Sequence, residues 1–125
     1  MRIEIETIPH ASQRYPSVGD WFDKDGVLNI KVSEELPDKE AFLVALHELV
    51  EVMLCKDRGI TEEQVDEFDM EYEKNRPDGD ESEPGDDPKA PYRKEHFFAT
   101  NIERLMAAEL GVDWEQYADH IEALP

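Results

Sequence analysis

Residues 41–55 read AFLVALHELVEVMLC, and apart from the Cys55 thiol the only ionisable side chains in this run are His47, Glu48 and Glu51. A helix apolar almost all round is expected to be buried. At about 100° per residue, Glu51 falls roughly 40° and Glu48 roughly 100° from His47, so all three share one arc of the helix. A carboxylate in a low-dielectric interior costs several kcal/mol unless it is paired, hydrogen-bonded or bound to a cation, and here two lie side by side. A metal ion or a proton is therefore attractive at this spot. His47 and Glu51, four residues apart, bring their heads together on successive turns, while Glu48 points beside them. The pattern suits two metal ligands and a neighbouring base.

The remaining contribution is expected from the helix over 91–110, where His96, Ala99, Glu103 and Ala107 share one face with Tyr92 and Thr100 beside it. The small Ala99 and Ala107 permit close packing against the first helix. His96 would then complete a His47, Glu51, His96 set, with Glu103 either orienting His96 or binding as a fourth ligand. Two histidines and a carboxylate leave a coordination position open. Without a metal the same residues make a buried polar network, in which a protonated His47 binds Glu51 or Glu103 and sets the helix register. Cys55 borders the arc but reads as a small buried hydrophobe rather than a nucleophile. His10 and His120 are assigned no role. A carboxylate-bridged di-metal site drawing on Glu48, Glu51, Glu95, His96 and Glu103 ranks low, because the Glu-x-x-His pairs it requires are absent.

These residues carry a resemblance to the zincin metallopeptidases, whose active-site helix bears H-E-x-x-H and whose third ligand arrives from a later segment. Here the motif is His47-Glu48-Leu49-Val50-Glu51. The resemblance implies His47 as a ligand, Glu48 as the base that takes a proton from the attacking water, and His96 as the distal ligand. Glu51 stands where the family has histidine, and its added negative charge makes manganese or iron more plausible beside zinc, which remains the first choice. The order of elements is similar to a minimal zincin core over about residues 20–110. It implies an extended substrate pairing with an edge strand of the hairpin Trp21 to Val32, and a covering role for the loop Arg76 to Ala90. HELVE, EPGDDPKAPY and the Glu95-His96 pair together also resemble small proteins encoded by tailed phages and prophages.

Alternation of Ile3, Ile5 and Ile8 with polar residues predicts a half-buried strand ending near Pro9. Trp21-Phe22 and Val27–Val32 flank Asp23-Lys24-Asp25-Gly26, a tight-turn sequence, and predict a hairpin with a short first arm. Asp38 is placed to cap a helix running to about Arg58, closed by Gly59. Thr61 and Gln64 form a capping box for an acidic helix over 61–75. Residues 76–90 hold Pro77, Gly79, Pro84, Gly85 and Pro88 among acids and predict a mobile loop. Gly111 ends the 91–110 helix, and a terminal helix over 113–123 presents Trp114, Tyr117, Ala118 and Ile121 on one apolar face. The expectation is one α+β domain over 1–125: strands over 1–32, then three to four helices, with the motif helix over 38–58.

The 125 residues carry 32 acids against 13 bases, for a net charge of −19. Segment 61–88 alone holds thirteen acids and two bases, so more than half of the excess lies there. Such a polyanion repels phosphate backbones and anionic headgroups, which argues against direct nucleic-acid or membrane binding. The single cysteine excludes an internal disulfide and clustered-cysteine zinc sites. With no apolar run of membrane-span length, a cytoplasmic protein is expected, in the host cytoplasm if phage-encoded. The leading functional expectation is a metal-dependent hydrolase acting on a peptide or protein. The alternatives are an acidic binding protein of DNA-mimic or inhibitor type, and a zincin-like fold without catalysis.

Overall fold

The computed structural model describes residues 1–80 and 82–125. The fold is α+β: a three-stranded sheet of β1 (Arg2–Ile8), β2 (Gly19–Lys24) and β3 (Val27–Ser33), followed by helices α1 (Asp38–Asp57), α2 (Glu62–Lys74), α3 (Arg93–Leu110) and α4 (Trp114–Glu122). The strand order is β1-β3-β2, with β1 parallel and β2 antiparallel to β3. The β2–β3 hairpin forms where expected, since Asp25 and Gly26 both take positive φ (52° and 76°) as a two-residue turn demands. Its first arm is longer than the sequence pattern suggests and reaches back to Gly19.

Leu28, Ile30 and Val32 of β3 and Trp21 of β2 lie on one sheet face and join Leu43, Val44, Val52 and Cys55 of α1 in the core. The opposite face is covered by the segment between β1 and β2. There the Arg14 guanidinium stacks over Phe22, and the Gln13 amide and the His10 Nδ1 both reach Ser33 Oγ. Strand β1 departs from the half-buried expectation: Ile3 and Ile5 are 40% and 52% exposed, because this edge strand extends past the helices. Helix α1 also differs from the all-round burial its sequence implies. Phe42 and Met53 stay about half exposed, since sheet and α3 cover only part of its circumference.

Pro37 is the boundary residue before α1, so Asp38 begins the helix and makes no side-chain cap. The Thr61/Gln64 capping box of α2 is present with both reciprocal bonds. Gly111, with φ at 69°, ends α3, where Lys39 Nζ donates to the Leu110 carbonyl at 3.1 Å. Ala99 and Ala107 are fully buried, so α3 packs closely on α1. Tyr117 of α4 is buried in the same core, and His120, given no role from sequence, ties α4 to α1 through Glu40 at 2.8 Å. Among the described residues no helix is long and apolar enough to cross a membrane.

Gly19, where β2 begins, touches α1 so closely that an added Cβ would lie 2.6 Å from Val44 Cγ1 and 2.8 Å from Glu48 Oε1. Gly19→Ala is therefore expected to destabilise the fold by about 1–3 kcal/mol through overpacking. The urea midpoint measures this, and an unchanged midpoint would show that β2 and α1 separate freely.

Candidate metal centre

Helix α1 delivers His47 and Glu51 to the surface that α3 covers, and the bare Cβ atoms of Ala99 and Ala107 let His96 reach them. The Glu51 carboxylate becomes a shared acceptor: its Oε2 takes a bond from His47 Nε2 at 2.9 Å and from His96 Nδ1 at 3.1 Å. The two imidazoles meet edge to face, with centroids 4.9 Å apart. His47, Glu51 and His96 are only 8%, 5% and 5% exposed. One donor atom from each lies within 4.8 Å of the other two, a spacing that a single divalent ion can span.

Glu103 lies beside His47, as the buried-network alternative has it, and not beside His96 or in the donor group, as the metal reading has it. It accepts from His47 Nδ1 at 2.7 Å, on the far side of the ring from Glu51, and so orients His47 rather than His96. The three-residue donor group does not include it. A carboxylate behind a ligating imidazole fixes the ring's tautomer and direction, which is the ordinary surrounding of a metal-bound histidine. Glu95 is drawn away from the centre by Arg58, whose Nη1 lies 2.7 Å from its Oε2. Cys55 is buried in the core and burial pushes its thiol up to about 12, so it is no nucleophile at neutral pH.

Burial alone would discourage charge on every member of the group, yet the pairings outweigh it for three of them. His47 is held well above the ordinary imidazole value by Glu103 and Glu51. His96 rises to about 10 through Glu51 and Glu83, and Glu51 falls to about 2 between the two rings. Glu48 moves the other way. It lies against Gly19 at the edge of the cluster, where burial first and the Glu51 charge second raise its carboxyl well above the usual range. The motif thus sets two carboxylates three residues apart whose surroundings push them in opposite directions, Glu51 towards the ionised form and Glu48 towards the protonated one.

A cavity of about 650 Å³ opens beside these residues, lined among others by Tyr15, Glu48, Asp69, Tyr92 and Tyr117. Asp69 of α2 accepts from the Tyr92 and Tyr15 hydroxyls, and burial raises its carboxyl to about 7. Sequence reasoning missed Asp69. Its only signal is an acid on the α2 face that also carries Val65, and the surrounding acidic run masks it.

The acidic segment 76–90 also contributes more than a loop. Its 3₁₀ turn, Pro84–Asp86, seats directly on His96: a Cβ on Gly85 would lie 2.4 Å from His96 Cγ. Glu83 and Asp86 thereby come within 3.1 and 3.2 Å of His96 Nε2. Arg76, paired with Glu73 and bonded to the Asp80 carbonyl, and Tyr72, bonded to Ser82, hold the segment's earlier part. The outer edge of β2 is not free for an extended substrate. Ser17 bonds the Gly19 carbonyl, Arg14 bonds the Trp21 carbonyl, and Glu62 accepts from the Asp23 N–H.

No protein-family model, curated protein or solved structure matches the chain.

Because folding favours the charged imidazole of His96, its stabilising contribution is complete below about pH 6.5 and is lost as the pH rises towards about 10. For chelator-treated protein we expect stability to fall across this window by an amount on the order of a few kcal/mol. The fall should be shallower in His96→Gln. An equally steep fall in urea titrations of the variant would remove His96 from the charged network.

Proposed function

We propose that the chain is a divalent-metal protein with hydrolase chemistry, in which His47, Glu51 and His96 hold the ion and Glu48 handles protons. The observation that carries this reading is the convergence, from two helices, of three buried donor atoms on one point beside a cavity. His47 adds a second support, since its far nitrogen is engaged by Glu103 as a ligating imidazole requires. Two imidazoles and one carboxylate suit zinc first, and the carboxylate keeps manganese and iron within range. A bound ion supplies a Lewis acid that polarises a carbonyl and acidifies water. Glu48, raised by its surroundings and standing beside the donor group, is the residue of this chain placed to take and return the proton. A peptide or protein amide remains the proposed substrate class, and direct nucleic-acid binding is not proposed for so acidic a chain.

Charge accounting agrees with this assignment. Two protonated imidazoles bring two positive charges to Glu51 and Glu103, and one divalent cation with neutral rings brings the same two. Ion and protons are therefore interchangeable at nearly constant charge, and uptake at pH 7 should release about two protons per ion.

A second reading, a proton-held network that only sets the register of α1 and α3, is favoured by the bonds of 2.9 and 3.1 Å that already satisfy Glu51. Elemental analysis of protein purified without chelators separates the two. We expect near-stoichiometric metal in the wild type and its loss in both His47→Ala and His96→Ala. Metal-free wild-type protein that takes up no zinc on titration would leave the network reading in place. Glu48→Gln should retain the ion while amide hydrolysis, screened on a mixed peptide library, drops by about 10²–10⁴-fold. Activity in that variant equal to the wild type would show that Glu48 is not the base.

A further inference from the structure

His96 has a second face. Its Nε2 is fully buried and makes no hydrogen bond, although Glu83 Oε2 and Asp86 Oδ1 lie 3.1 and 3.2 Å away. Neither oxygen stands where an N–H on that ring could donate to it. The three atoms lie within 4.8 Å of one another, a spacing that a single ion can span. Gly85 makes the arrangement possible: its missing side chain lets the turn approach the imidazole closely enough for the flanking Glu83 and Asp86 both to reach Nε2. The carboxylates are about half exposed, at 56% and 47% for their side chains, while His96 is buried.

We propose that Glu83, Asp86 and His96 Nε2 form a second, outer seat for a divalent cation, distinct from the inner group of His47, Glu51 and His96 Nδ1. Two carboxylates and one imidazole, open to solvent on one side, suit an oxygen-preferring ion such as manganese, with water filling the remaining positions. An ion there ties the acidic segment to α3 across the mouth of the inner centre. A neutral imidazole carries one lone pair, so His96 serves one seat at a time at neutral pH, and the outer seat is best read when the inner one is disabled.

The test is Mn²⁺ binding to the full chain, followed by loss of the free-ion EPR signal, in a His47→Ala/Glu51→Gln background. One equivalent is expected to bind, and adding Glu83→Gln/Asp86→Asn is expected to weaken it at least ten-fold. If the first background does not fold by circular dichroism, His47→Gln alone, which leaves Glu51 an amide donor nearby, takes its place. Absence of binding in the folded background, or binding indifferent to Glu83→Gln/Asp86→Asn, overturns the outer seat. The two sites fail separately: zinc held by the wild type and lost in His47→Ala/Glu51→Gln, with no manganese bound there, removes only the outer seat. Manganese bound through Glu83 and Asp86 in a protein whose zinc content ignores His47 and Glu51 removes only the inner one.

Discussion

A single carboxylate, Glu51, organises the interior: it sits between two imidazoles that come from different helices, and all three are buried. A buried charge of this kind has to be neutralised by partners at hydrogen-bond distance, or the fold loses several kcal/mol. That requirement fixes how α1 and α3 face each other. It explains why α3 bears alanines at positions 99 and 107, where a larger side chain would hold the rings apart. It also explains why Glu103 stands behind His47, since a ring bonded on one nitrogen and unsatisfied on the other would leave a polar atom stranded in the interior.

The surroundings extend the same balance outward. Arg58 pairs with Glu95, and Arg14 bridges Asp20 and Asp66, so three acids around the centre are matched by cations rather than adding uncompensated charge to it. Asp69 is handled by hydroxyls instead, through Tyr15 and Tyr92, while burial and the Glu51 charge raise the Glu48 carboxyl and so ease its share of the negative field. A chain with a net charge of −19 can thus keep a compact centre by pairing or neutralising its inner acids and leaving most of the excess on α2 and the segment beyond it. The resulting cavity has walls that are acidic on several sides, and a cation is the natural complement to such a space.

Much of this was legible in the residues. The period of 3.6, the Asp-Gly turn, the Thr61 capping box and the glycines at 59 and 111 mark elements through local sterics and local hydrogen bonds, and those operate within a few residues of chain. The juxtaposition of His47 and Glu51 follows from one helical turn. The approach of His96 was readable one step further out, because small residues at helical spacing advertise a close helix contact.

What lay beyond the sequence is whatever depends on two distant segments meeting. Periodicity places Ile3 and Ile5 on one strand face but does not say that the face runs past the helices into solvent, or that β1 lies parallel to β3. It makes α1 apolar without saying which part of its surface the rest of the fold leaves bare. The residues allow Glu103 to serve His96, its neighbour two turns away on α3, or His47, and only the packing of α3 on α1 decides for His47. Glu83, Gly85 and Asp86 sit in a stretch too polar and too rich in proline and glycine to announce a structure. Their place against His96 comes from a contact of backbone on ring, and a one-dimensional pattern of side chains carries no record of that. Local residue chemistry determined which groups had to be neutralised; the three-dimensional packing alone decided which partners neutralise them.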